Sequence, residues 1–439
     1  MPHHVDTLIE AGWVIPVEPR AVLRQHSLAI RDGLIQAILP TVDAHSQFHA
    51  DRRVRLENHA LIPGLINLHT HAAMTLMRGL ADDLPLMDWL NRHIWPAEGK
   101  HVSHPFVYDG TMLACAEMLR GGITCFNDMY FFPEATAQAA VEAGLRAAVG
   151  IIVIEFPSRY AGDPEDYLNK GLAVRDEWRA QPLLTFCMAP HAPYTVSDKT
   201  FEKLLTYAQQ LDLPIHIHVQ ETQHEIQQSL AQYKIRPLER LHNLGLLGPN
   251  FIAVHAVHLT PQEIALLSGE ACGVAHCPSS NLKLASGFAP VAELLEQGIN
   301  VGLGTDGAAS NNRLDLFEEM RLAAMLAKAV SGRADALPAH QALQMATLNG
   351  AKALGLDGKT GSLKTGKAAD IAAVDFSEIE LAPCFDPVSH LVYAAGREQV
   401  SHVWVNGKLL LENRGLTTLN AGELAAKARY WQEKIGNQS

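Results

Sequence analysis

Two histidines separated by one residue, His69 and His71, end an apolar run that begins at Ala60. In an extended strand, residues two apart point to the same side, so both imidazoles face one place. Two imidazoles that close together suit a divalent transition metal, most often zinc. By itself the pattern is weak, because the chain contains 22 histidines and core histidines can produce the same spacing.

The same layout returns further along the chain, which strengthens the prediction of a metal site. His218 and His255 each close another apolar, strand-like run, and Asp306 directly follows a third. The first histidine pair, His218 and the Asp306 carboxylate would together hold one metal ion with an open position for water. A bound zinc ion lowers the pKa of such a water to about 7.

His255, Asp306 and one further acidic residue, Glu221, predict proton transfer beside the metal. Glu221 stands three residues after His218 and is placed as a proton shuttle rather than as a ligand. His255 and Asp306 are placed to orient and deprotonate the water.

Three further histidines are interpreted differently. His216 shares a strand face with His218 but lies deeper, so we interpret it as a packing residue behind the metal site. His258 is interpreted as a loop histidine. His276, which precedes Cys277, is a weaker candidate for substrate contact and a still weaker one for the metal.

Alternating strand and helix patterns supply the frame for these residues between about 60 and 365. Eight short apolar runs are separated by helical stretches, the size and rhythm of a (β/α)8 TIM-like barrel, whose active-site groups sit at the carboxyl ends of the strands. The predicted strands are Leu65–His69, Ile123–Met129, Ala147–Ile154, Leu183–Ala189, Pro214–Val219, Phe251–His255, Gly273–His276 and Val301–Gly304. An open doubly wound sheet is disfavoured, because Pro63 and Gly64 precede the first strand and no glycine-rich phosphate loop follows it.

Both ends of the chain are patterned as hairpins. Arg31-Asp32-Gly33 separates two alternating runs near the start, and Asn406-Gly407 does so near the end. The two ends are expected to pair into one small β-sandwich domain. The predicted division is 1–60 for its first part, 61–365 for the catalytic barrel, and 366–439 for its second part with a terminal helix.

The bulk composition is typical of a soluble, cytoplasmic protein. Hydrophobic residues make up 48% of the chain and charged residues 19%, which is typical of a globular protein. A formal net charge of −12 argues against nucleic acid or an anionic membrane as a partner. Six cysteines without a Cys-x-x-Cys pair suit reduced thiols, and neither a secretory leader nor a membrane span is expected.

With these motifs, the sequence resembles the amidohydrolase superfamily over essentially its whole length. The resemblance is carried by the run from Pro63 to His71, by His218-x-x-Glu221, by His255, and by Gly304-Thr-Asp306-Gly-Ala-Ala-Ser-Asn-Asn. No lysine stands at the end of the fourth strand, where the bridging lysine of two-metal members would be. The resemblance therefore implies a single metal ion, expected to be Zn²⁺ with Fe²⁺ as the alternative, and is compatible with a homo-oligomer.

Within the superfamily, two segments look like the 5-methylthioadenosine/S-adenosylhomocysteine deaminase branch: Met87–Glu98 and the run around Ala189-Pro-His191. That resemblance implies that Glu98 holds the ribose hydroxyls and that His191 contacts the nucleoside. It further implies Trp89 near the thioether and Arg159 at the homocysteine carboxylate. Alternatively, Glu98 is a solvated carboxylate at a helix end, Trp89 is a core aromatic residue, and Arg159 is a cation in a surface loop.

The resemblance and the residue chemistry together predict hydrolytic deamination of an adenine ring, with a nucleoside as partner. Methylthioadenosine, adenosylhomocysteine and adenosine are all candidate substrates, and the inosine-type product and ammonia would result. A mononuclear enzyme of the guanine deaminase or triazine hydrolase type is the alternative. A catalytically silent metal-binding scaffold is disfavoured, because it would not need Glu221.

Overall fold

The computed structural model describes residues 2–436, and within them sixteen strands form two separate eight-stranded sheets. In chain order the strands are β1 (His3–Val14), β2 (Leu23–Arg31), β3 (Leu34–Pro40), β4 (Phe48–Pro63), β5 (Leu65–Thr70), β6 (Ile123–Asp128), β7 (Arg146–Val153), β8 (Leu184–Pro190), β9 (Ile215–Val219), β10 (Phe251–His255), β11 (Gly273–His276), β12 (Asn300–Leu303), β13 (Ile371–Asp375), β14 (Val400–Val405), β15 (Lys408–Glu412) and β16 (Gly415–Leu416).

Helices follow most of the strands. They are α1 (Thr41–Gln47), α2 (Leu86–Trp89), α3 (Trp95–His101), α4 (His104–Arg120), α5 (Pro133–Ala143), α6 (Pro164–Trp178), α7 (Asp198–Leu211), α8 (Gln223–Tyr233), α9 (Pro237–Asn243), α10 (Pro261–Gly269), α11 (Pro278–Lys283), α12 (Val291–Glu296), α13 (Ala308–Asn311), α14 (Leu316–Ser331), α15 (Ala339–Met345), α16 (Leu348–Ala353), α17 (Pro387–Tyr393) and α18 (Ala421–Gly436). Polar caps mark several starts, such as Ser197 before α7 and the Thr260–Glu263 capping box of α10. No helix within residues 2–436 is both long and apolar enough to cross a bilayer.

Strands β5 to β12 form the barrel, which confirms the predicted (β/α)8 architecture. Each strand pairs in parallel with the next one along the chain. All residues of β5, β6, β7 and β9 are buried, as expected for strands covered on both faces. This double burial explains why the sequence shows continuous apolar runs rather than alternation.

The barrel closes along a seam between β5 and β12. There the Asn67 amide donates to the Thr305 hydroxyl (2.8 Å) and accepts from the Thr305 backbone N–H (2.9 Å), while the Asp306 N–H donates to the His69 carbonyl (3.0 Å). A Cβ on Gly304 would lie 2.9 Å from the His69 backbone nitrogen, so only glycine permits this approach. The seam places the residues after β12 directly beside the end of β5.

The second sheet combines both chain ends, in the order β16-β15-β14-β13-β4-β1-β2-β3. It curls so that the turn at Gly33 meets the turn at Asn406 and Gly407, and apolar side chains from both halves, including Ile30 and Trp404, form one cluster. The sixteen-residue β4 pairs in parallel with β1, a partner that sequence patterning did not predict. We propose the domain division 1–60, 61–365 and 366–439, because β4 pairs with this sheet and β5 with the barrel.

A helical segment, here called the cover (residues 86–101), follows the first barrel strand, β5. Helix α2, a π-helical turn (Leu90–Ile94) and α3 run consecutively here, and π-helical turns are frequent near functional sites. The terminal helix α18 returns to the barrel, where Trp431 packs edge-to-face on Phe106 and donates its indole N–H to Asp109 (3.0 Å). The last helix of the chain thus packs against α4, which directly follows the cover.

Candidate metal centre and active site

Four predicted ligands converge at the carboxyl ends of the barrel strands. The candidate ligand atoms of His69, His71, His218 and Asp306 all lie within 4.8 Å of one another. Asp306 Oδ1 is 3.2 Å from Nε2 of both His69 and His71, and Nε2 of His218 is 3.2 Å from Nε2 of His69. Ligands about 2.0 Å from a tetrahedral ion are about 3.3 Å apart, so the donor set and its spacing fit zinc.

The opposite ring nitrogens of these histidines are occupied. Nδ1 of His71 donates to the Met129 carbonyl (2.6 Å), and Nδ1 of His218 donates to the His191 carbonyl (2.7 Å). Nδ1 of His69 meets Nε2 of His216 at 3.0 Å. Such bonds fix the tautomer and turn the Nε2 lone pairs toward the shared centre. His216 therefore lies behind the ligands, where its deeper strand position predicted it.

Burial and hydrogen bonding prepare the ligands electrostatically. Burial lowers the pKa of His69 to about 4 and that of His218 well below its ordinary value, so both rings are neutral near pH 7. Burial opposes ionisation of Asp306 as well, but hydrogen bonds from His69 and His71 outweigh it and hold the carboxyl pKa well below its usual range. A divalent metal requires neutral imidazoles and a charged carboxylate, which are the states of His69, His218 and Asp306 near pH 7. Burial opposes protonation of His71, but its hydrogen bond to Asp306 and the attraction of nearby carboxylates together outweigh burial and raise the pKa of this ring to about 9, so a metal would have to displace its proton.

Glu221 and His255 lie beside the ligand cluster. The nearest oxygen of Glu221 is 3.8 Å from His255 Nε2, and the other oxygen accepts from the Ser286 hydroxyl (3.2 Å). Burial raises the pKa of Glu221, which favours its protonated form and suits a carboxyl that donates and recovers a proton. The predicted shuttle and its neighbour are therefore both within reach of the centre.

A cleft opens from the cluster to the surface, with about 1140 Å³ of empty space when the open solvent at its mouth is included. It exposes His71, His218, Glu221, His255 and Asp306 at its floor. The walls are mostly apolar: Met74, Leu86, Trp89, Leu90, Ile94, Trp95, Val102, Met129, Phe131, Ile152, Ile154, Phe156 and Leu284. An apolar cleft with few convergent polar groups is the usual form of a small-molecule site.

Glu98 lies in the wall of this cleft with Tyr130 as its partner. The Tyr130 hydroxyl donates to Glu98 Oε1 at 2.7 Å, and burial raises the phenol pKa well above its ordinary value, so it remains a donor. Burial also raises the pKa of Glu98 to about 7. The second carboxylate oxygen is left to accept hydrogen bonds from a ligand.

The other predicted substrate residues line the same cleft. His191 lies near the floor with its Nδ1 3.0 Å from the Thr195 hydroxyl, and Trp89 is buried in the wall. Arg159 is exposed at the mouth. His276 lies elsewhere, beside a small cavity behind the barrel, so it does not border this cleft. The six cysteines are free thiols, and five of them are buried.

Sequence reasoning missed several polar residues that support the site. Tyr130 follows β6, and Ser280, Asn281 and Ser286 follow β11. Ser280 donates to Asp306 Oδ2 at 2.7 Å, as does Ser310 at 2.8 Å. The available signal was the polar cluster Pro278-Ser-Ser-Asn281 directly after a barrel strand, the position where such folds place their functional groups.

Comparison with known proteins adds three findings. A family model described as the amidohydrolase family matches residues 60–410. The chain is 51% identical to a 5-methylthioadenosine/S-adenosylhomocysteine deaminase of Saccharophagus degradans, over 99% of this chain and 97% of that protein. Two solved structures resemble the fold. An adenosine deaminase from Xanthomonas campestris with bound zinc has a TM-score of 0.98, 49% identity and full coverage of both chains. An atrazine chlorohydrolase from Arthrobacter aurescens complexed with zinc has a TM-score of 0.89 and 25% identity, over 97% of this chain and 100% of that one.

Proposed function

We propose a substrate for this chain, which belongs to the amidohydrolase family. It is a metal-dependent hydrolase that deaminates the adenine ring of 5'-methylthioadenosine and S-adenosylhomocysteine. Adenosine is a further candidate substrate. The observation that carries this proposal is one continuous cleft that joins the His69–Asp306 ligand cluster and Glu221 to the half-buried carboxylate of Glu98. Water replaces the exocyclic amine at C6, and the products are the inosine-type thioether and ammonia.

We propose zinc as the metal, held by His69, His71, His218 and Asp306. Three imidazoles and one carboxylate are a usual zinc donor set, and the similar structure from X. campestris carries zinc. Fe²⁺ is the alternative, and metal analysis of the purified protein separates the two. When bound, the ion supplies a water of lowered pKa as the nucleophile.

The residues around this centre would move the protons. Glu221 reaches the cleft floor and is proposed to carry a proton to N1 of the ring, which makes C6 more electrophilic. His255 and Asp306 are proposed to accept the proton of the attacking water and to pass it to the amino group, which leaves as ammonia while Glu221 recovers the remaining hydroxyl proton. Glutamate-assisted deamination at a metal centre is also used by nucleobase deaminases of another fold.

The walls suit a nucleoside with a substituted 5'-position. Glu98 is proposed to accept hydrogen bonds from both ribose hydroxyls, and His191 to contact the nucleoside. The apolar wall around Trp89 offers contact to a thioether, and Arg159 at the mouth offers a partner for the homocysteine carboxylate. We further propose a cytoplasmic location, because six free thiols suit a reducing compartment. Assembly into a homo-oligomer stays a prediction from the family resemblance.

Ammonia release from amino-substituted substrates, together with chloride release from a chlorotriazine, tests this function. The panel contains methylthioadenosine, adenosylhomocysteine, adenosine, guanine and a chlorotriazine, each at matched concentration with the zinc-loaded protein. Glu221→Gln, purified in parallel, controls for deaminases carried over from the host. Turnover of the two thioethers supports the proposal. Turnover confined to guanine or the triazine, the latter being the substrate class of the A. aurescens relative, would replace it.

A further inference from the structure

One short segment after β11 contacts all three groups that are proposed to handle protons. Helix α11 and the loop that follows it contribute Ser280 to Asp306, Asn281 to His255, and Ser286 to Glu221. Asp306 has a second hydroxyl partner in Ser310, whereas the Nδ1 of His255 is bonded by Asn281. Asn281 is therefore the residue through which this segment acts on the His255 imidazole.

We propose that Asn281 is a positioning residue for His255: its amide oxygen fixes the imidazole in the tautomer protonated at Nδ1 and so turns the Nε2 lone pair toward the cleft. The distance between His255 Nδ1 and Asn281 Oδ1 is 2.8 Å, and both residues are almost fully buried. His255 borders the cleft and Asn281 does not. This inference rests on the proposed function, in which His255 accepts a proton at Nε2.

Both partners are held rigidly, which makes the bond an effective constraint. Two backbone hydrogen bonds hold Asn281. Its N–H donates to the Cys277 carbonyl (3.0 Å), and the Asn281 carbonyl accepts from the Ser286 N–H (2.8 Å). His255 has a left-handed backbone (φ 68°), a conformation that non-glycine residues adopt only where their surroundings hold them. The backbone therefore holds the two side chains at a fixed spacing.

The amide admits two self-consistent arrangements with opposite chemistry. With Oδ1 toward His255, the imidazole carries its proton on Nδ1 and presents a lone pair at Nε2. With the amide turned over, Nδ2–H would donate to Nδ1, and the proton would sit on Nε2, facing the cleft. Asn281 Nδ2 has no hydrogen-bond partner within residues 2–436 and borders a small cavity shared with His276. The bond to His255 is therefore the contact by which the described structure sets the amide.

Two nearly isosteric substitutions separate this role from simple packing. Asn281→Asp keeps an acceptor oxygen and removes the donor, whereas Asn281→Leu keeps the volume and removes the acceptor. If Asn281 only fills space, leucine is tolerated and a buried carboxylate is harmful. If Asn281 is the acceptor for His255, the leucine variant is the more impaired of the two and the aspartate variant is tolerated. Asn349→Leu serves as the matched control, because this asparagine bonds the Val301 carbonyl away from the cleft.

We expect Asn281→Leu to lower kcat by about 10- to 100-fold with KM and zinc content unchanged, since a buried donor loses its partner. We expect Asn281→Asp to stay within about fivefold of wild type. A leucine variant with at least half the wild-type kcat, or an aspartate variant more impaired than the leucine variant, overturns the inference.

A spectroscopic measurement keeps the inference testable whatever the variants do. In ¹⁵N-histidine spectra of the wild-type protein, the His255 signals are identified by their loss in His255→Gln. We expect them to report protonation at Nδ1, and signals of the Nε2-protonated form would overturn the inference. Because this readout needs no turnover, a protein that deaminates nothing would refute the proposed function alone.

Discussion

Removing the Glu98 carboxylate is expected to abolish the preference for a ribose over a deoxyribose. In Glu98→Leu, adenosine should become a poor substrate while 2'-deoxyadenosine loses much less, so that the ratio of their kcat/KM values falls toward one. Glu98→Gln is the matched variant, because it keeps the shape and the bond to the Tyr130 hydroxyl but loses the charge.

The magnitude follows from the hydrogen bonds that the carboxylate can still accept. The Tyr130 hydroxyl occupies one lone pair of Oε1, which leaves the other lone pair of Oε1 and both of Oε2 for the two ribose hydroxyls. A hydrogen bond to a charged group contributes roughly 1.5–3 kcal/mol, so a missing hydroxyl should cost the wild-type protein about 10- to 150-fold in kcat/KM.

The same preference should depend on pH. Burial raises the pKa of Glu98 to about 7, so the ionised, strongly accepting form is present above that pH and is lost below it. With a pKa of 7, the ionised fraction falls from about 0.9 at pH 8 to about 0.1 at pH 6. The positive charge of a bound metal favours the carboxylate and shifts the midpoint to lower pH. The ribose preference should therefore rise with pH, and in both Glu98 variants it should be flat.

The assay is ammonia release from adenosine and 2'-deoxyadenosine between pH 5 and 8 at saturating zinc. Taking the ratio of the two substrates cancels pH effects on the chemical step, which is common to both. If Glu98→Leu still prefers adenosine by the wild-type factor, Glu98 does not hold the ribose, and the nucleoside assignment loses its main local support.

Three further predictions concern the remaining groups of the cleft. His218→Ala should lose tight metal retention, since only two imidazoles and one carboxylate remain, and a purified variant with a full equivalent of metal and normal turnover would contradict this ligand set. Glu221→Gln should keep its metal and lose turnover by about 10²–10⁴-fold, and a loss under about threefold would remove Glu221 from the mechanism. Arg159→Met should lower kcat/KM for adenosylhomocysteine and spare methylthioadenosine, which has no carboxylate. Equal losses would indicate a structural role.

The barrel could be predicted from the sequence because its strands are buried on both faces. Runs such as Ala147–Ile154 are continuously apolar, and the polar residue at the end of such a run marks the mouth of the barrel. The four proposed ligands share that position, so their convergence follows once eight parallel strands are recognised.

Other features depend on contacts that no local pattern encodes. The parallel pairing of β1 with β4 joins residues about 45 positions apart, and the long β4 has no continuous alternation to reveal it. The bond between Asn281 and His255 spans 26 residues and involves a common side chain without a distinctive motif. No sequence pattern marks Tyr130 as more important than its aromatic neighbours Phe131 and Phe132. Its role is seen only in the structure, through the contact of its hydroxyl with Glu98.

The seam of the barrel also gives a bound metal a role in the persistence of the chain. His69 belongs to the first barrel strand and Asp306 follows the last, 237 positions later, so one ion shared by both would fasten the two ends of the barrel as a covalent crosslink does. An ion that binds only the closed barrel stabilises it by about 4 kcal/mol at a free concentration of a thousand times Kd. Proteolysis of the transiently opened chain becomes slower as this stabilising free energy increases. Scarcity of the metal would therefore reduce the amount of this protein in a cell as well as the activity of each molecule.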